Sequence, residues 1–211
     1  MEQTTLFLFL GGWGKSEVEN ALAGAHQAAA EDLLKSLSEI PSISQTVVAT
    51  DDPSWATRLN HLSVEIDLDP HGEPFHFGRR LAELIDRYQA ERVLYAGAGS
   101  APLLDRSQWA DVVGKMGRAE RLVITNNVHS SDWAAFVPAG EAASLLAEQA
   151  NDNSLAWTLA SRGGFPAQGL KASAGSRFDI DTPVDLLIAH RHPGLGPRLR
   201  KYLDELGWTS P

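Results

Sequence analysis

Asp179, Asp181 and Asp185 fall within eleven positions of RFDIDTPVDLL (177–187), around a Thr-Pro pair. If FDID is extended, Asp179 and Asp181 point to the same side, because side chains two apart share a face. Two like charges so placed raise one another's pKa unless a cation lies between them. Mg²⁺ (or Mn²⁺) suits that position, since it takes one or two carboxylates and completes its shell with substrate phosphates and water. An ion pair with Arg177, or a solvated surface pair, accounts for the same residues without a metal. Asp185 reads differently: with Thr182 as N-cap and Pro183 as first helical residue, it stands where an acid closes a capping box and favours the positive helix end.

Glycines are the second source of chemistry. GGWGKSE carries Gly11, Gly12, Gly14 and Lys15, backbone and ammonium groups suited to phosphate. It is not a P-loop, because Phe9 stands where the first glycine of GxxxxGK[ST] belongs. GAGSAP (97–102) puts Pro102 where a dinucleotide fingerprint needs its third glycine. Turn geometry, by positive φ or close backbone approach, accounts for Gly11 and Gly97. DPHGEPFHFG could wrap a base through backbone groups around Gly72 and Gly78, with Phe75 and Phe77 read as the buried side of the following helix. NNVHSSDW (126–133) gathers Asn126, Asn127, His129, Ser130 and Asp132, groups that suit a metal or phosphate, or a turn bonding its own backbone.

The elements that must position these residues follow from hydrophobic pattern. TTLFLFL (4–10) is an unbroken run expected to be covered on both faces. Val18 to Leu37 is helical, QTVVAT (45–50) a strand, and DPSWATRLN a short helix opened by Asp52 and Pro53. SVEIDL (63–68), RVLYAG (92–97) and RLVIT (121–125) are strands, with a helix over 75–88. This alternation predicts an α/β fold: one domain over 1–211, a three-layer arrangement around a mostly parallel sheet, with ligands at the carboxyl ends of the strands. Residues 126–138 read as a long loop, often a functional feature. His190 and His192 follow the Thr182 helix, where cations meet its dipole. In the terminal helix Leu199, Tyr202, Leu203 and Leu206 form a stripe that could pack on the sheet or make a homodimer contact.

Composition bounds the partners. The 211 residues carry a formal net charge of -9, which disfavours general attraction to a nucleic acid polymer or an anionic membrane and leaves a locally held nucleotide open. With no cysteine, any metal must sit on oxygen or imidazole. The opening apolar run reads as a buried strand rather than a signal peptide, and no segment reaches membrane-spanning length, so a cytoplasmic protein is expected.

DIDTPVDL resembles the C-terminal D-[IV]-[DN]-T-P-x-D-L signature of the MobA-like nucleotidyltransferases. LFLFLGGWG, TVVATDD and GSAPLL, the last similar to G-D-x-P-L-L, follow in the family's order. The resemblance implies a nucleotide-diphospho-sugar transferase (GT-A-like) fold, an NTP at the strand ends and a divalent metal on its phosphates. Carried over by position, Gly11, Gly12 and Gly14 hold phosphate and Asp179 or Asp181 holds metal, with Ser100 in the nucleotide site where the family has an aspartate. The glycine loop also lacks the family's arginine and offers Glu17 and Glu19 beyond Lys15. Asp132 is the candidate replacement for the missing carboxylate, and Lys15 the phosphate contact. The implied reaction transfers a nucleoside monophosphate to a small phosphorylated or phosphate-like acceptor and releases pyrophosphate. A catalytically inactive nucleotide-binding or assembly protein of the same fold is the alternative, and a GT-A glycosyltransferase, from the DxD in DID, a further one.

Overall fold

The computed structural model describes residues 3–208 except 12, 13, 15, 71 and 73. In chain order the elements are β1 (Thr4–Leu10), α1 (Glu17–Leu37), β2 (Ile43–Thr50), α2 (Pro53–Arg58), β3 (Glu65–Leu68), α3 (Phe77–Arg87), β4 (Val93–Gly97), α4 (Arg106–Met116), β5 (Leu122–Thr125), β6 (Trp133–Val137), α5 (Ala139–Leu146), α6 (Leu155–Gly163), β7 (Ala167–Gly169), α7 (Ala174–Arg177), α8 (Pro183–Arg191) and α9 (Pro197–Leu206).

β1 lacks polar alternation because it lies inside the sheet with both faces covered. Leu6, Leu8 and Leu10 enter one core with α1, α2 and α4, while Phe7 and Phe9 enter a second with α3, α5 and α6. The sheet order is β3-β2-β1-β4-β6-β5-β7. β6 runs antiparallel to both β4 and β5, and the other pairings are parallel. The expected α/β class and mostly parallel sheet are therefore observed.

One expectation is overturned. Residues 126–138 are not all loop, since WAAFV forms β6 and every residue of it is buried. A buried strand of small and aromatic residues has no polar alternation to mark it. The stripe of α9 packs on helices rather than on the sheet: Leu199 and Leu203 join α1 and α8 in a third core, with Tyr202 and Leu206 partly buried against it. Asp32 of α1 holds the start of α9 by accepting from the N–H groups of Arg198 and Leu199 at 3.1 and 3.0 Å. Gly196 permits this, because a Cβ there would overlap the Asp32 carboxylate.

The end of β3 is fastened by charge. Arg80, 5% exposed, donates to Asp67 at 2.7 Å and to Asp69 at 2.8 Å. Arg87 and the Tyr88 hydroxyl complete the shell of Asp67. Among the described residues no helix is long and apolar enough to cross a membrane.

Candidate functional site

The chain adds β2 and β3 on one side of β1 and then returns to lay β4 on the other. Such a reversal opens a crevice beyond the carboxyl ends of the two central strands. The N–H of Ala98 donates to the Phe9 carbonyl at 2.9 Å, so the exits of β1 and β4 leave side by side. Gly11 leaves β1 against Asp51, whose Oδ1 would be 3.2 Å from a Cβ. Gly14 lies against the Glu19 side chain, with no room for a Cβ, because Glu19 folds back to accept from the Ser16 N–H at 2.9 Å. The acid of this loop thus serves the start of α1. Gly12 and Lys15 lie outside the described residues.

The segment Asp179–Asp181 crosses the exit of β4. Ser100 and Asp179 pair in an isolated antiparallel bridge, and the Ile180 N–H donates to the Gly99 carbonyl at 3.2 Å. The buried Ser100 hydroxyl donates to the Gly97 carbonyl at 2.7 Å. Asp185 then gathers the start of α8, accepting from the N–H of Thr182 at 2.7 Å, its hydroxyl at 2.8 Å and the N–H of Asp181 at 3.1 Å. Thr182, Pro183 and Asp185 therefore occupy the helix-start positions read from their types.

Four carboxylates converge there. Burial, then Asp132 and Asp181, push Asp179 up to about 7. Asp132 is raised by burial and by Asp152 and Asp181, against an opposing hydrogen bond from Asn126 and the charge of Arg177. Asp152 is raised mainly by burial, with Asp181 adding to it, although the Tyr95 hydroxyl donates to it at 2.6 Å. The loop before β6 brings Asp132 in while also bonding its own backbone: the Asp132 N–H donates to Asn126 Oδ1 at 3.1 Å, and the Asn126 amide donates to the Asp132 carboxylate. The metal-facing and turn readings of this loop are compatible. Among the described residues, no three His, Asp or Glu groups form a ready coordination shell. The chemistry still fits an Mg²⁺- or Mn²⁺-sized cation that takes two carboxylates and leaves the rest to phosphate oxygens and water. Like charges raising one another are the sign of a site that gains from such a cation.

Asp152 also lines a cleft of about 730 Å³ that runs back along the crevice to Gly11. Phe9, Phe77 and Tyr95 stack edge to face along its wall, with ring centroids 4.9 to 5.9 Å apart. Phe75, expected to be buried, is 59% exposed at the mouth, its ring edge-on to Phe9. Asp51, Asp69 and Arg79 supply polar groups. The size and aromatic lining suit a nucleobase and ribose.

The structure sorts the predicted residues. Gly11 and Gly72 line this cleft, and Gly72 needs glycine because its φ is +86°. Gly78 is taken up by helix packing: its N–H donates to the Gln149 carbonyl at 2.9 Å, and a Cβ would overlap the Leu146 carbonyl oxygen. Gly97 requires neither of the turn features expected of it, since its φ is not positive and a Cβ would meet nothing nearer than 3.7 Å. The close approach is at Gly99. Asp132, Asp179 and Asp181 come together, with Ser100 beside Asp179 in the backbone bridge. Asp152 and Tyr95 were missed. NDNS after α5 offered a polar cluster, but only the fold turns it toward β4.

The seven-stranded, mostly parallel sheet with its strand switch is the nucleotide-diphospho-sugar transferase fold, as superposition on solved structures shows. A protein described as a nucleotide-diphospho-sugar transferase from Desulfovibrio desulfuricans superposes with a TM-score of 0.69 at 13% identity, over 98% of this chain and 97% of that one. CMP:2-keto-3-deoxy-manno-octonic acid synthetase, solved with CTP, gives 0.62 at 12% identity over 90% and 100%. Rv0371c of Mycobacterium tuberculosis, solved with manganese, gives 0.57 at 15% identity over 96% and 98%. No protein-family profile and no curated protein matches the sequence.

Proposed function

We propose that the chain is a MobA-like nucleotidyltransferase that binds an NTP and passes its nucleoside monophosphate to a small phosphorylated acceptor. The observation that carries the reading is the continuity of the aromatic cleft with the Asp132, Asp152, Asp179 and Asp181 carboxylates through Asp152. The base and ribose enter the cleft past Gly72 and Phe75, and the phosphates run over the backbone of Gly11, Gly12 and Gly14 with Lys15 as counter-charge. Asp179 and Asp181 are the ligands for Mg²⁺ or Mn²⁺, with Asp132 in place of the carboxylate that Ser100 cannot supply. When bound, the cation would neutralise phosphate oxygens and lower the barrier electrostatically. An acceptor oxygen forms a bond to the α-phosphorus, the bond from that phosphorus to the bridging oxygen breaks, and pyrophosphate leaves with the electron pair. The protein's work is positioning and charge.

Support for the coarse reading comes from the CTP and manganese of the two solved relatives named above. A second reading, an inactive nucleotide-binding or assembly protein, is favoured by Ser100, whose hydroxyl is engaged by the Gly97 carbonyl. A thermal-shift screen of the four NTPs with and without Mg²⁺ or Mn²⁺, followed by pyrophosphate release with phosphorylated acceptors, tests both. Metal-dependent stabilisation by one NTP with release is expected. Stabilisation without release under any acceptor, or no stabilisation by any nucleotide or metal, supports the second reading and overturns the first.

A further inference from the structure

His26 lies on α1, 154 positions from Ile180 in sequence, yet its Nε2 is 2.6 Å from the Ile180 carbonyl oxygen. A carbonyl only accepts, so Nε2 carries the proton and donates. The N–H of the same residue is held by the Gly99 carbonyl at 3.2 Å, and its side chain is buried among Ala25, Ala29 and Leu186. Ile180 is thus gripped on its donor, its acceptor and its side chain. The residues on either side of it are Asp179 and Asp181. In extended chain the orientation of the central residue sets the common direction of its two neighbours. Rotation of this peptide would swing both carboxylates away from Asp132 and Asp152.

Gly99, two residues beyond β4, closes the same clamp. A Cβ there would stand 2.8 Å from His26 Nε2 and 3.0 Å from the Ile180 oxygen, the two atoms of the hydrogen bond. Its backbone is not in the left-handed region, so glycine is needed here for space and not for φ. A histidine from the interior of α1 and a glycine from the segment after β4 therefore meet at one peptide bond, and that bond separates the two candidate metal ligands.

We propose that His26 is a positioning residue for the Asp179 and Asp181 pair, orienting the Ile180 peptide through its Nε2–H so that both carboxylates face one cation. The inference rests on the reading of those aspartates as metal ligands. α1 begins directly after the glycine loop, so the clamp also ties the phosphate side of the crevice to its metal side.

The test measures Mn²⁺ affinity by titration calorimetry on the full chain, and hydrogen exchange of the Ile180 amide in the metal-free protein, for His26→Ala, His26→Gln, Gly99→Ala and Asp179→Asn. Outer groups that orient metal ligands typically matter about 10- to 100-fold in affinity. His26→Ala is expected to weaken Mn²⁺ at least about tenfold and to speed Ile180 exchange. His26→Gln, whose amide nitrogen reaches a similar position, restores most of both, and Gly99→Ala reproduces the alanine result. A purely packing role for His26 would not be rescued by glutamine. Wild-type affinity and exchange in His26→Ala, with binding lost in Asp179→Asn, overturns the positioning role alone. Wild-type affinity in Asp179→Asn overturns the metal reading and the positioning role with it.

Discussion

Ser100 and Asp179 face each other across a single antiparallel bridge, and this one pairing joins the segment after β4 to the segment before α8. It sets the Asp179 carboxyl at a strand exit where burial and Asp132 hold its pKa near 7. A hydroxyl at position 100 adds no charge, so the balance of the site rests on the remaining carboxylates.

Asp132 is expected to carry part of that balance. Asp132→Asn keeps the shape of the loop and a partner for Asn126 while removing the charge. It should weaken Mn²⁺ about tenfold or more, roughly 1.4 kcal/mol, and NTP stabilisation in parallel. Calorimetry that finds metal and nucleotide binding unaltered removes Asp132 from the site.

Asp67 offers a pH test behind the cleft wall, where its partner Arg80 stands. Its partners Arg80 and Arg87 hold its carboxyl below the usual value of 3.8 against the opposing cost of burial. A lowered folded pKa gives stability that is present above the unfolded pKa and lost as pH falls through the folded one. Asp67→Asn strips Arg80 of one charged partner while Asp69 stays at 2.8 Å, and should cost about 1.5–3 kcal/mol at pH 7, the range for a hydrogen bond to a charged group. Urea denaturation should show the gap from wild type narrowing below about pH 4.

Asp32 and Gly196 should behave as one unit. Asp32→Ala removes the cap from α9 and should cost about 1–2 kcal/mol. Gly196→Ala evicts the same carboxylate, so the double variant should lose clearly less than the sum of the two. Additive losses in a denaturation cycle would show that the cap is not shared.

Gly72 and Gly78, similar in the sequence, should separate on substitution. Gly72→Ala meets no atom within 4 Å and bears only the strain of positive φ, about 1–2 kcal/mol. Gly78→Ala drives a Cβ into the Leu146 carbonyl and should cost about 3 kcal/mol, the upper end for overpacking, or prevent folding. Equal midpoints in urea would contradict this division.

What the sequence determined by itself is what neighbours within a few positions decide. Thr182, Pro183 and Asp185 start α8, Asp52 caps α2 and TTLFLFL is a strand covered on both faces, because capping bonds and backbone periodicity act over one turn or one strand. The spacing of Asp179 and Asp181 likewise placed them on one side. Tertiary structure alone decided which groups that side would face. Asp132 reaches Asp179 only because β6 inserts antiparallel between β4 and β5, Asp152 meets Asp132 and Asp181 only because the segment between α5 and α6 folds back to Tyr95, and His26 reaches Ile180 only because α1 packs beneath the exit of β4. Such meetings depend on strand order and on burial of whole elements, and nothing within a local window records them.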